Sequence, residues 1–367
     1  MTKPTRTTFR RPLDRLVVGV DIIIILTCII MLMPIHMGLS AGIAAVSVIV
    51  FTAAIVISLF LVWISNGRAR VVTWVALSAS VVGLCVPQLG YIMTADKHGV
   101  SLHFDPVTYV TFSGETHVQP TSKHIYKAVG RESLRLAFYA SPLEGPRPIV
   151  AILHGGGWRY GNYLQNGNWP EVLTRAGFSV ITIDYRLSSP ERHTWHDTPQ
   201  DINDALVFIK KNATKFRLAS DHLHLLGQSA GGHLALLEAY RHHNVRSVVS
   251  LYAPVDLELD YDTSRDKSAE LVFLGGTPEE LPARYHELSP LTYVSPEAPA
   301  TLILQGTRDD LVAHENASIL EQKLTDNGVP HSLIRLPLTG HSFENQHGGF
   351  ATQIAEQTVI NFLNRQR

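Results

Sequence analysis

The sequence predicts an α/β domain, built on a mostly parallel sheet covered by helices on both faces and preceded by three transmembrane helices. Two observations predict it. Most of the apolar excess falls before residue 95, in three runs that each approach the roughly 20 residues a helix needs to cross a bilayer. From residue 122 onward, short β-rich runs alternate with helical ones, the pattern of parallel strands joined by crossover helices.

The 367 residues leave room for two domains, and a net charge of −1 gives no basic field for nucleic acid. Cys28 and Cys85 both lie inside apolar runs, so neither a disulfide framework nor a zinc site is readable.

The apolar runs cover residues 17–35, 43–64 and 71–93. They are apolar all round, unlike amphipathic surface helices. Burying three in succession in a soluble core would require a far larger protein. The Arg10-Arg11 pair suits a twin-arginine signal, but the first run is long, no A-x-A site follows it, and two further runs come after. Asp21 is placed at the interface near Arg15, with the span starting at Ile22. Lys3, Arg6, Arg10, Arg11 and Arg15 precede the first run, and Arg68 and Arg70 lie between the second and third; the loop "HMGLS" has no cation. The positive-inside rule then puts the N-terminus in the cytoplasm and everything after Met93 outside it. A membrane domain over 1–95 and a juxtamembrane spacer over 96–121, with a strand-like "VTYVTF", lead to a catalytic domain over 122–367.

In that domain the strands are "LRLAFYA", "PIVAILHGG", "FSVITIDY", "HLHLLG", "VRSVVSLYAP", "ATLILQG" and "HSLIRLP". The helices are 170–176, 199–212, 230–242, 313–327 and 350–364. "TPQD" reads as a helix start, with Thr198 as N-cap, Pro199 first and Asp201 third. In such sheets the active site lies at the carboxyl ends of the strands.

Four stretches fall at those ends. "GQSAG" sets Ser229 between a strand and a helix, where a strained turn tolerates only small neighbours such as Gly227, Ala230 and Gly231 and exposes the hydroxyl. "HGGGW", residues 154–158, lets backbone amides approach a ligand; Gly155 and Gly156, with Ala230, suit an oxyanion hole. A serine nucleophile needs a base, and the base an orienting carboxylate. "GTRDDLV" offers Asp309, with Asp310 as the alternative; "LTGHSFEN" offers His341, with His347 in "NQHGG" as the weaker choice.

From about Tyr126 to the C-terminus, "HGGGW", "DYRLSSPE", "GQSAGGHLA", "GTRDDLV" and "GHSF" resemble the α/β-hydrolases of the hormone-sensitive-lipase-like and bacterial carboxylesterase group. The resemblance implies an α/β-hydrolase fold with Ser229 as nucleophile, Asp309 as acid and His341 as base. It also implies an oxyanion hole of Gly155, Gly156 and Ala230. That group often carries an N-terminal cap; here membrane spans stand in its place, so cap-derived specificity does not transfer.

Trp158 borders the expected pocket and is assigned either to its acyl wall or to packing. His233 is assigned to packing, the "RHTWHD" cluster of His193, His196 and Asp197 to a solvated loop, and Asp184 and Arg186 to structural hydrogen bonds. The expected protein is a membrane-anchored extracytoplasmic serine esterase needing no metal or organic cofactor. Its alternatives are an acyltransferase using the same acyl-enzyme, or a lipase or peptidase of the same fold. The segment 255–299 is the one obvious lid, and its polar "DLELDYDTSRDKSAE" argues against a long acyl chain. The expected substrate is a short, acetyl ester of an envelope glycolipid or glycan, with the bilayer as the other partner. The oligomeric state is not legible in the sequence.

Overall fold

A computed structural model describes residues 12–32, 40–105, 118–346 and 348–367. The cations before residue 12, the loop 33–39, "VTYVTF" and His347 lie outside them. The chain forms two compact units, 1–93 and 94–367.

The first unit contains α1 (Pro12–Leu32), α2 (Ser40–Ile64) and all but the last four residues of α3 (Gly67–Lys97). Among the described residues α3 is long and apolar enough to cross a membrane. Its 31 residues reach about 46 Å at 1.5 Å per residue. Small residues set the helix contacts. A Cβ on Gly83 would lie 2.2 Å from the Phe51 ring, so glycine is what lets α2 and α3 approach there. The faces turned away from these contacts expose Ile23, Phe60, Trp63, Trp74 and Met93.

Asp21 is fully buried within the helices, and Thr73 Oγ1 on α3 donates to its Oδ2 at 2.7 Å, the donor a buried carboxyl needs.

The second unit is built on one eight-stranded sheet of order β1-β2-β4-β3-β5-β6-β7-β8. The strands are β1 (Ser122–Val129), β2 (Glu132–Tyr139), β3 (Arg147–Leu153), β4 (Ser179–Ile183), β5 (Leu218–Gln228), β6 (Ser247–Leu251), β7 (Ala300–Gly306) and β8 (His331–Leu336). β2 pairs antiparallel with both β1 and β4, and the neighbours from β4 to β8 are parallel. β4 and β6 are buried throughout and β3 from Ile149 onward, which is why they read as continuous Val/Ile/Leu runs. Helices α4 (Trp169–Arg175), α5 (Asp197–Lys211), α6 (Ala230–His242), α7 (Leu257–Thr263), α8 (Ser268–Leu274), α9 (Pro282–Leu288), α10 (Glu315–Asp326) and α11 (Phe350–Arg365) complete the unit.

β1 was not expected as a strand. Its Lys123 studs an edge, where a cation discourages pairing with another chain, while Lys127 turns to Asp201 and Asp204 of α5. Thr198 is not the N-cap of α5, which starts at Asp197. Its hydroxyl instead donates to Arg186 O at 2.8 Å. Asp201 is fully buried and accepts from Arg186 Nε and Nη2, both at 2.7 Å, and from Lys127 Nζ. This fork-on-fork pair holds the end of β4 to α5. Part of the expected spacer docks within the second unit. Gln353 and Gln357 of α11 accept from the amides of His103 and Ser101 and donate back to their carbonyls.

Candidate active site

Ser229 ends β5 and begins α6 with φ 53° and ψ −122°, a conformation L-residues rarely adopt. Close packing enforces the turn. A Cβ on Gly231 would lie 2.2 Å from Leu153 O, and one on Gly227 2.2 Å from Gly231 O. Ser229 N donates to Leu251 O at 2.9 Å, tying the turn to β6.

Asp309 and His341 arrive on adjoining loops. Arg308 N donates to Thr339 O at 2.8 Å, and a Cβ on Gly306 would meet Thr339 O at 2.3 Å, so the loops after β7 and β8 run in contact. His341 Nε2 lies 2.9 Å from Ser229 Oγ, and His341 Nδ1 lies 2.7 Å from Asp309 Oδ2. Asp309 Oδ1 accepts from the amides of Leu311 and Val312, and Oδ2 also accepts from Gln305 Nε2. Those bonds fix the carboxylate, which fixes the ring. Asp310 lies 3.5 Å from Arg265 Nη1 and does not reach His341 in this way. Burial alone would lower the His341 pKa, but the Asp309 carboxylate, helped by Glu344 and Asp310, more than offsets it, so the imidazole sits above its ordinary 6.5.

Gly155 and Gly156 follow β3, and Gly155 packs against Gln228 O and Ser229 Cβ. Gly156 has φ 121°, and a Cβ there would strike Tyr160 O. The amides of Gly155, Gly156 and Ala230 have no acceptor among the described residues. His154 braces the loop, with Nδ1 2.8 Å from Gly155 O and its ring stacked on Tyr185 at 4.2 Å. Burial lowers its pKa to about 4, which keeps it neutral.

A cavity of about 670 Å³ opens over Ser229 and His341. Trp158 lines it while being 2% exposed, stacked on Phe273 at 4.8 Å, so the wall and the packing role coincide. Its indole N–H donates to His233 Nδ1, leaving the His233 Nε2–H for Leu288 O at 2.7 Å. His193 Nδ1 faces Val272 O and His196 sits beside Asp197. Asp184 Oδ1 accepts from Tyr163 N at 2.8 Å. Among the described residues no cluster of His, Cys, Asp or Glu is placed to hold a metal.

Sequence reasoning missed two groups. Asp260 on α7 and Glu270 on α8 line the cavity from the expected lid; burial, with Glu270 alongside, pushes the Asp260 carboxyl well above the ordinary range. Gln228, Tyr252 and Glu344 form a buried cluster against the His341 ring. A glutamate three residues past His341 was the one signal available.

The family model for BD-FAE matches residues 137–324, just over half of the chain. Esterase LipC of Mycobacterium tuberculosis (strain ATCC 25618 / H37Rv) is 27% identical over 244 residues, covering 60% of this chain and 59% of that protein. The chain therefore matches little more than half the length of that relative. A truncated carbohydrate esterase from gut microbiota superposes with a TM-score of 0.60 at 23% identity, covering 69% of this chain and 98% of that one. An acetyl ester-xyloside bifunctional hydrolase from Caldicellulosiruptor lactoaceticus gives 0.60 at 20% identity, covering 68% and 97%. These superpositions establish the α/β-hydrolase fold of the second unit.

Proposed function

The chain belongs to the BD-FAE family, and from that premise we propose that it is a serine carboxylesterase. The observation that carries the reading is the unbroken line from Asp309 Oδ2 through His341 to Ser229 Oγ, with steps of 2.7 and 2.9 Å, at the floor of a cavity. His341 Nε2 takes the Ser229 proton as Oγ attacks the ester carbonyl, and Asp309 stabilises the imidazolium that forms. The amides of Gly155, Gly156 and Ala230 receive the oxyanion at the N-terminus of α6, where the helix dipole adds to them. His341 then protonates the leaving alcohol, and water repeats the cycle on the acyl-enzyme. The resting imidazole is already hydrogen-bonded on both sides, so little reorganisation precedes attack.

The acyl group in this reading is short, acetyl above all. One side of the cavity carries Asp260, Asp266 and Glu270, a polar lining that favours a short acyl group over a fatty chain. Helices α1 to α3 serve as a three-span anchor with the catalytic unit outside the cytoplasm. That reading rests on the cation pattern of the sequence and on the apolar outward faces of the helices. An anchored enzyme meets substrates held at the outer membrane face at high local concentration, which suits an O-acetylated envelope glycolipid or glycan. The test is a chain-length series of p-nitrophenyl esters. Turnover is greatest from acetyl to butyryl and falls steeply by octanoyl; a maximum at eight carbons or longer overturns the short-acyl assignment.

A further inference from the structure

Three loops meet beside the imidazole, and each is held in a costly backbone conformation: Ser229 at φ 53°, Tyr252 at φ 41° and Ser342 at φ 54°. Strain of this kind persists only where surrounding bonds over-determine it. One side chain connects all three. Glu344, on the base loop and 5% exposed, accepts at Oε1 from Gln228 Nε2 at 2.8 Å and from the Tyr252 hydroxyl. Gln228 directly precedes the nucleophile. Tyr252 follows Leu251, whose carbonyl holds Ser229 N, and its ring lies 4.3 Å from the His341 ring. Ser342 also hydrogen-bonds the Tyr252 phenol.

We propose that Glu344 is a positioning residue, which clamps Tyr252 under the His341 ring and ties the nucleophile loop to the base loop, keeping Nε2 in line with Ser229 Oγ. The proposal rests on the esterase reading above. The action is that of an acceptor oxygen. Glu344 Oε2 is buried with no partner among the described residues. An amide in its place keeps the accepting oxygen and exchanges one unpaired atom for another. The groups facing Glu344 are Gln228 from β5, Tyr252 from the loop after β6, and His341 from its own loop; Asp309 and Asp310 face the far side of His341.

The test uses the full chain in detergent with two readouts. These are steady-state hydrolysis of p-nitrophenyl acetate and the rate at which a fluorophosphonate labels Ser229, which reports the activated nucleophile without reference to the natural ester. Glu344→Ala lowers kcat and the labelling rate by about 10- to 100-fold with KM within about twofold, as a misplacement near 1 Å does. Glu344→Gln restores both to within about threefold of wild type. Tyr252→Phe reproduces the alanine loss in a protein that still melts cooperatively well above the assay temperature, and Glu344→Ala with Tyr252→Phe loses no more than the worse single variant. Should Glu344→Ala fail to fold, Tyr252→Phe alone decides. Labelling equal to wild type in that variant, additive losses in the double variant, or a change confined to KM overturns the proposal. A wild-type protein that resists the fluorophosphonate overturns the esterase reading instead.

Discussion

Gly231→Ala tests whether the architecture of the turn, and not only its serine, sets the chemistry. The added Cβ would stand 2.2 Å from Leu153 O and 2.3 Å from His154 O, against about 3.4 Å for an ordinary close contact. Both obstacles are backbone, so no side chain can swing away, and the start of α6 and the end of β3 must separate by about 1 Å. Overpacking of this kind costs about 1–3 kcal/mol, and two backbone contacts put this case at about 2–3. For a unit of this size that is a fall of roughly 4–12 °C in melting temperature. The same separation pulls Ala230 N–H away from Gly155 and Gly156 N–H, and a lost oxyanion donor lowers kcat by about 10²- to 10³-fold. Intrinsic-fluorescence melting and p-nitrophenyl acetate turnover read the two effects on one preparation. Gly19→Ala, with nothing within 4 Å of its Cβ, should move neither. A Gly231→Ala protein with kcat within about threefold of wild type and an unchanged melt refutes the reasoning.

The other predictions concern the acid, the base, the scaffold and the anchor. Asp309→Asn lowers kcat by about 10⁴-fold through loss of the correct tautomer and charge, whereas Asp310→Asn stays within a few-fold; the reverse order would move the acid to Asp310. The base works only when neutral. A His341 pKa raised chiefly by Asp309 therefore places the acidic limb of kcat/KM above 6.5, with activity lost as pH falls through it; a limb below 6.5 contradicts the assignment. Arg186→Ala leaves Asp201 buried with only Lys127 as a cation, and should destabilise the unit by about 3 kcal/mol in a denaturant melt. A reporter active only outside the cytoplasm, fused after Arg367, should be active; activity of a cytoplasm-only reporter there contradicts three crossings.

What the sequence made legible was whatever depends on short range. The turn at Ser229 shows because strain and close packing demand glycine and alanine within two residues of it, and the buried parallel strands show because both faces are covered. Groups assembled over long range were not legible. Glu344 meets Gln228 across 116 residues, and Asp21 meets Thr73 across 52, so nothing local marks either pair. β1 failed for a different reason: an edge strand carrying Lys123 outward and Lys127 toward Asp201 lacks the apolar run by which its neighbours are known. Thr198 had every local feature of an N-cap, yet its hydroxyl is engaged by the carbonyl of Arg186, and the helix starts one residue earlier.

Ser229 forms the acyl-enzyme in this mechanism, and trapping the protein with a fluorophosphonate during p-nitrophenyl acetate turnover, followed by mass mapping of the labelled peptide, decides it. The expected result is one adduct, on Ser229, formed in step with loss of hydrolysis, and neither adduct nor hydrolysis in Ser229→Ala at an unchanged melting temperature. Hydrolysis that survives in a folded Ser229→Ala protein, or an adduct at another residue that tracks the loss of activity, would contradict it.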